Sequence, residues 1–340
     1  MSSRMLLEAR EAPTAVAHQL AHDMLAYREF GAILRAEPPA AMLTLARGSS
    51  DHAAHYAAYL VMARTGRLVT SLPMSLLTLY QSKIGCGGLV TFAFSQSGQS
   101  PDLVEPTRYF RKGGATTLAF VNDATSPLAE AAQWVYPLHA GPEASIAATK
   151  SVIAQMVAAA RVVAAWQDDL VLQSALSALP QALSRAAAAD WSAAMPVLTN
   201  ADRLLVIGRG LGLPVAMEAA LKFKETCGIQ AEAFSGAEVR HGPIALVGEG
   251  YPVLVLAPRG PAQAGLLALA DELRSRGARV LLAAPGATPR TGLPIVETGA
   301  SELDPISMLQ SFYPMVEALS RARGLDPDRP RHLSKVTRTH

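Results

Sequence analysis

Two sets of residues in this 340-residue chain have types and spacings that could do chemistry. The first is a pair of hydroxyl-rich turns, Ser49-Ser50 after one apolar run and Ser95-Gln96-Ser97-Gly98-Gln99-Ser100 after another. Where a buried strand hands over to a helix, such side chains join the free N–H groups of the first helical turn. Gly98 lets the backbone come close, so the two turns make a neutral cradle for a phosphate dianion. A lone serine at such a place would only cap the helix; several at two neighbouring strand ends favour the phosphate. The second set is titratable. Glu218, Lys222 and Glu225 share one helix face at i, i+4 and i+7, Lys224 adjoins Glu225, and His241 is fixed on a turn by Gly242-Pro243. Periodicity alone also allows a solvated salt-bridge face and a structural histidine. Beside a phosphate cradle in the other half, a carboxylate and an imidazole suit proton transfer on a sugar phosphate anchored at one end and acted on at the other.

Positioning these groups takes strands that end where the serines begin, and the chain supplies them twice. AMLTLARGSS (41–50) is an apolar run ending in Arg47-Gly48, and RLLVIGRGLG (203–212) ends in Arg209-Gly210, 162 residues later. GLVTFAFSQSG and YPVLVLAPRG follow, each reaching its last glycine 51 residues after that arginine. ATTLAFVND and ARVLLAAPG make a third pair, offset by 163. Continuous apolar strands separated by amphipathic helical stretches predict α/β architecture, with two tandem doubly wound parallel sheets related by an internal repeat. Residues 13 to 35 read as a leading helix and 304 to 323 as a final one. The Ala-rich stretch from about 143 to 200, punctuated by Pro180, reads as the connection between halves. The expected domains are a leading helix (1–35), a first sheet domain with the phosphate cradle (36–195), a second with the acid–base residues (196–323) and a polar tail (324–340). The second-half counterpart of the serine turn, Pro258-Arg259-Gly260-Pro261, has no hydroxyl, so one phosphate site is expected.

Composition narrows the function. Thirty Lys plus Arg against 28 Asp plus Glu leave a net charge of +2, which gives no electrostatic case for nucleic acid or an acidic membrane. The longest apolar stretch, Ser151 to Trp166, is interrupted by Gln155 and Arg161 and falls short of a bilayer span. Arg4, Glu8, Arg10 and Glu11 stand where a secretory signal needs apolar residues, so a cytoplasmic location is expected. Cys86 and Cys227 lie 141 residues apart, with no metal or redox spacing. No metal and no cofactor are expected, and the partner is a small molecule.

The stretches ARGSSDHA, SQSGQSPDL, AGPEASIAATKS, EAALKFKE, AEAFSGAEVRHGP and DPDRPRHLSK resemble the sugar isomerase (SIS) domain family in its double-domain form. They are similar, in order and approximate spacing, to the isomerase half of glucosamine-6-phosphate synthase and to stand-alone aminosugar-phosphate deaminases, from about Met42 to Lys335. SQSG alone marks only the domain; LKxKE, the spacing to His-Gly-Pro and the terminal P-R-x-L-x-K together are more specific. The resemblance implies flavodoxin-like sandwiches with Ser50, Ser95, Gln96, Ser97 and Ser100 on the phosphate. It also implies Glu225 moving a proton between C1 and C2 with Lys222 close by, and His241 opening the ring in a neighbouring subunit's site. Lys335 would form a Schiff base with the open-chain ketose, and the protein would be a homodimer with shared active sites. Pro142, Phe223 and Arg240 depart from the synthase's usual Thr, Leu and Lys, and Ser49-Ser50-Asp51-His52 looks more like the deaminase branch.

The synthase obtains ammonia from glutamine with an N-terminal cysteine in a separate domain, whereas this chain starts Met1-Ser2-Ser3. The expectation is therefore an aminosugar-6-phosphate deaminase/isomerase without glutaminase activity, converting glucosamine 6-phosphate to fructose 6-phosphate and ammonia. An isomerase component of glucosamine-6-phosphate synthesis, a galactosamine-phosphate deaminase and a fructosamine-phosphate deglycase stay open. A non-enzymatic sugar-phosphate sensor is disfavoured by the near-neutral charge and by the presence of Glu225, His241 and Lys335.

Overall fold

The computed structural model describes residues 2–288 and 292–335. Strands β1 (Ala41–Leu45), β2 (Val69–Ser71), β3 (Leu89–Ser95), β4 (Thr116–Val121) and β5 (Trp134–Pro137) form one sheet in the order β2-β1-β3-β4-β5. Strands β6 (Arg203–Gly208), β7 (Gln230–Ser235), β8 (Pro252–Leu256), β9 (Arg279–Ala284) and β10 (Leu293–Pro294) form a second in the order β7-β6-β8-β9-β10. All pairings are parallel, and both sheets follow the 2-1-3-4-5 order of flavodoxin-like doubly wound folds. The repeat extends to register. Leu43 faces Thr91 across β1 and β3, and 162 residues later Leu205 faces Val253 across β6 and β8.

The described chain divides into two compact units. One comprises Thr14–Glu143, Lys150–Ser177 and the segment from Ser334, and holds the first sheet; the other comprises the chain up to Pro13, Ala144–Thr149 and Ala178–Leu333, and holds the second. The limits 36–195 and 196–323 enclose the two sheets; the compact units instead gather helices from distant parts of the chain.

In the first unit, strand alternation sorts the core by face. Phe92 and Phe94 point to the same side as Phe120 and Tyr136, and their rings stack from Phe94 to Phe120 (4.6 Å) and on to Tyr136 (5.7 Å). Leu43, Leu45, Ala93 and Ala119 belong to a second cluster with Leu103 and Phe110 of the helix Pro101–Lys112. The helix Lys150–Trp166 is buried on every side, as its near-continuous Ala and Val residues require. Gly31 lets the helix Met24–Ala36 approach it, since a Cβ there would overlap the Ala165 carbonyl.

In the second unit, Leu205, Ile207, Val253 and Val255 pack with Leu266, Leu269 and Leu273 of the helix Gln263–Ser275. Phe223 of the helix Leu213–Cys227 meets Phe312 of the helix Asp304–Ala322 edge-on at 5.3 Å. The polar tail is tied down at Asp328. Its carboxylate accepts the N–H groups of Arg4 (2.8 Å) and Met5 (2.9 Å), and so caps the first turn of the helix Arg4–Leu20.

Two local expectations change. The leading helix is two helices, Arg4–Leu20 and Met24–Ala36, because Asp23 adopts left-handed backbone (φ 59°), a conformation Asp tolerates better than most residues. Pro180 lies inside the helix Leu170–Ala187 and does not punctuate the connection. The break comes earlier, at Asp168 (φ 51°), and Asp169 starts the next helix by accepting the N–H groups of Val171 and Leu172 at 2.9 Å. Among the described residues no helix is long and apolar enough to cross a membrane.

Candidate active site

In a 2-1-3-4-5 sheet the chain departs in opposite directions from β1 and β3, which opens a crevice at their carboxyl ends. Both serine turns lie there. Ser49 and Ser50 occupy the first turn of the helix Gly48–Thr65 that follows β1, and Ser95 to Ser100 link β3 to the helix Pro101–Lys112. At neither helix does the N-cap side chain make a capping bond, although Ser100 stands at that position in the second. Ser95 Oγ accepts the Gly98 N–H at 3.0 Å, and Ser97 Oγ accepts that of Gln99 at 3.3 Å. Gly98 (φ 64°) is needed because a Cβ would overlap Ser126 Oγ, and its carbonyl accepts the Leu128 N–H at 3.1 Å. Gln96, Ser97, Ser100 and Ser50 are half-buried and Ser95 is buried.

Residues outside these motifs hold the turns in place. Arg47 Nε donates to Asp102 Oδ2 at 2.8 Å, joining the turn after β1 to the first turn of the helix after β3. Gln155 Nε2, from the buried helix Lys150–Trp166, donates to Ser50 Oγ at 3.0 Å. Asp51 is partly desolvated; burial pushes its carboxyl up against the opposing pull of His55, His52 and Arg47. In the second half Arg259, in the counterpart of the serine turn, gives its guanidinium to Asp304 (2.6 Å), Glu297 (3.2 Å) and the Thr298 carbonyl (2.7 Å).

The titratable face of the helix Leu213–Cys227 is not a solvated one. Lys222 is fully buried and Glu218 is 1% exposed. The helix starts with Pro214 in its first turn and stops at Gly228 in left-handed backbone, and the i+3 and i+4 spacings bring both carboxylates to one ammonium. Lys222 Nζ lies 3.4 Å from Glu218 Oε1 and is hydrogen-bonded to Glu225 Oε2, while Tyr313 Oη donates to Glu218 at 3.3 Å. Burial works against the charge on Lys222, but Glu218 and Glu225 outweigh it and hold the ammonium above the ordinary lysine range. Glu225 is the partner with access to solvent, its side chain 20% exposed. It opens on a cleft of about 600 Å³ lined also by Lys224 and Thr226 and by the tail residues Asp326, Arg329 and Arg331.

His241 is not among the residues lining that cleft. It is exposed, at the end of the 3-10 turn Glu238–His241, ahead of Gly242 at φ 152°. Lys335 belongs to the first unit, where its Nζ lies 3.3 Å from Glu143 Oε2 with the lysine side chain 24% exposed. Glu143 is buried and also accepts the Ser151 N–H (3.1 Å) and hydroxyl (2.6 Å). Sequence reasoning passed over Glu143, Ser151 and Gln155. The legible signal was an acid within the small, apolar run AGPEASIAATKS, where a carboxylate is kept only with partners.

A model of the family described as SIS domain matches residues 39–165 and 197–284. The isomerizing glutamine–fructose-6-phosphate aminotransferase of Aeropyrum pernix is 35% identical over 98% of this chain and 56% of its own length. The chain thus spans about half the length of the curated relatives it matches. A solved structure from Silicibacter pomeroyi DSS-3, described as a candidate phosphosugar isomerase, is 41% identical with a TM-score of 0.90, covering 96% of this chain and all of the other. The C-terminal domain of glucosamine-fructose-6-phosphate aminotransferase from Francisella tularensis shares the fold at 23% identity and a TM-score of 0.86, over 97% of this chain and 99% of its own.

Proposed function

The chain belongs to the SIS domain family, and from that premise we propose that it acts on phosphorylated aminosugars as an aldose–ketose isomerase and deaminase. Glucosamine 6-phosphate is the first substrate to test. His241 assists ring opening, and Glu225 takes the proton from C2 and returns it to C1, which leaves an imine at C2. Water adds to that carbon and ammonia departs, giving fructose 6-phosphate. Ser50, Ser95, Gln96, Ser97 and Ser100 bind the phosphate. Lys335 captures the open-chain ketose as a Schiff base; its ammonium must first lose a proton, and the adjacent Glu143 carboxylate is the group in reach to take it. The chain works in the cytoplasm as a homodimer in which His241 serves the neighbouring subunit, a reading supported by its exposure and its absence from the Glu225 cleft.

One observation carries the proposal. Of the three groups in the Glu218–Lys222–Glu225 network, only the carboxylate of Glu225 faces the cleft, oriented by an ammonium that stays charged. A base that must be ionised and aligned at a carbon acid needs that arrangement. The test is release of ammonia, with formation of the matching ketose phosphate, from glucosamine 6-phosphate, galactosamine 6-phosphate and fructose-lysine phosphate. Turnover of the first is expected; binding of all three without turnover or exchange of the C2 proton would make the chain a sensor. The Aeropyrum relative favours a second reading, an isomerase component of glucosamine-6-phosphate synthesis. That reading predicts that amination of fructose 6-phosphate needs an ammonia-supplying partner, with free ammonium neither consumed nor released at a comparable rate.

The phosphate assignment has its own test. Ser97→Ala removes a half-buried hydroxyl whose internal bond is long. It is expected to raise KM for the phosphorylated sugar by about 10- to 100-fold, the loss of one charge-assisted hydrogen bond of roughly 1.5–3 kcal/mol, with kcat nearly constant. An unchanged KM would take Ser97 off the phosphate.

A further inference from the structure

Three histidines that the proposed reaction does not use meet in the first compact unit. His18 and His22 lie one helical turn apart where the helix Arg4–Leu20 ends, and His139 follows β5. One ring nitrogen of each lies within 4.8 Å of one nitrogen of each of the others. The ring centroids are 4.3 Å (His18–His22), 4.6 Å (His22–His139) and 5.5 Å (His18–His139) apart.

The hydrogen bonds fix which nitrogens keep a lone pair. His22 Nδ1 lies 2.7 Å from the His18 carbonyl oxygen, so it carries the proton and Nε2 is free. His18 Nδ1 faces the His139 carbonyl oxygen at 3.4 Å, with the same consequence. His139 Nε2 lies 2.6 Å from Asp23 Oδ2 and donates to it, which leaves Nδ1 free. Each imidazole therefore gives its N–H to an oxygen and presents a bare nitrogen, the outer-sphere arrangement that orients metal-bound histidines. Asp23 stands at the N-cap of the helix Met24–Ala36 yet makes no capping bond, its carboxylate serving His139 instead. Asp23 (φ 59°) and His139 (φ 51°) both hold left-handed backbone, and Arg161 donates to the carbonyls of Gln19 and His22 at 2.6 Å each, fixing the turn between His18 and Asp23.

We propose that His18, His22 and His139 bind one divalent cation of the zinc class, with Asp23 as the carboxylate behind His139. Three imidazoles with a fourth position left to water are a donor set that suits zinc. Bonds of about 2.0–2.1 Å in tetrahedral geometry place the nitrogens roughly 3.3 Å apart, closer than the 4.8 Å within which one nitrogen of each ring falls, so the rings must draw together on the ion. His18 and His22 are exposed and free to make that adjustment. The ion would clamp the 18–23 turn to the loop that leads from His139 to Glu143, and the inference stands whether or not the chain deaminates aminosugars.

The experiment uses the full chain stripped with EDTA and then titrated with ZnCl2 or CoCl2. Expected are one equivalent bound per chain, a rise in Tm, and the intense visible absorption of tetrahedral cobalt. His18→Gln with His22→Gln alters two exposed side chains, so Tm in EDTA should match the wild type while metal binding and the Tm rise disappear. Asp23→Asn keeps a residue that accepts left-handed backbone and should weaken affinity by about 10-fold or more. Absence of stoichiometric binding, or binding that survives the double variant, overturns the proposal. Binding lost in His52→Gln with His55→Gln but kept in the double variant would move the metal to the helix after β1.

Discussion

Glu225→Gln is expected to lower kcat by about 100-fold or more while KM for the sugar phosphate changes little, because the substitution keeps size and hydrogen bonding and removes only the base. The variant should fold, since Lys222 keeps the Glu218 carboxylate at 3.4 Å. Its pH behaviour tests the network separately from activity. A lysine whose folded pKa is raised contributes stability that is complete below its unfolded value, about 10.4, and lost as pH climbs through the folded value. Glu218 and Glu225 both raise Lys222; with one of them neutral the folded value drops, and the alkaline fall in Tm should begin at a lower pH than in the wild type. Mixing this variant with His241→Ala should restore part of the activity if His241 serves a neighbouring subunit, because some hybrid sites then hold both wild-type groups. Solvent exchange of the C2 proton at the wild-type rate in Glu225→Gln would assign the base elsewhere.

Lys335→Met removes the amine proposed to form the Schiff base, and turnover is expected to fall by on the order of 100-fold, about 2.7 kcal/mol at the barrier. Tm should move by only a few degrees, because Glu143 keeps both bonds from Ser151 and the lysine side chain is already partly in water. Borohydride added with fructose 6-phosphate should reduce the Schiff base to a stable secondary amine on Lys335 of the wild type and leave the variant unlabelled. A chain ending at Leu333 keeps the Asp328 cap and the tail residues of the cleft, so it should reproduce the kinetics of Lys335→Met. Full activity in either form would leave Lys335 as an ion-pair partner of Glu143 alone.

How far these residues could be read beforehand depended on the range of the interactions that define them. Six strands were legible because β1, β3, β4, β6 and β8 are apolar runs buried on both faces and β9 is an apolar run after its first residue, and the repeat fixed their correspondence. The edge strands β2, β5, β7 and β10 were not: Val69–Ser71 and Leu293–Pro294 are too short to show a period, and Gln230–Ser235 alternates with polar residues. The serine turns followed from strand ends, and the pairing of Glu218, Lys222 and Glu225 from helical spacing. Their burial did not follow, because charges at i, i+4 and i+7 look the same on a solvated face. Glu143 needed Lys335, 192 positions away, and His18 needed His139, 121 positions away; no local pattern links such partners.

The cap at Asp328 has a consequence for how the protein is made. The N–H of Arg4 and its acceptor stand 324 positions apart in the chain, and synthesis makes Arg4 first. The opening turn of the first helix therefore stays uncapped until Asp328 is made, even though each sheet can assemble as its strands emerge. Arg329, Arg331 and Leu333, which wall the Glu225 cleft, come out later still. A nascent chain stalled before residue 328 would hold the strands of both sheets and an uncapped first helix, with Arg329, Arg331 and Leu333 still missing from the wall of the Glu225 cleft.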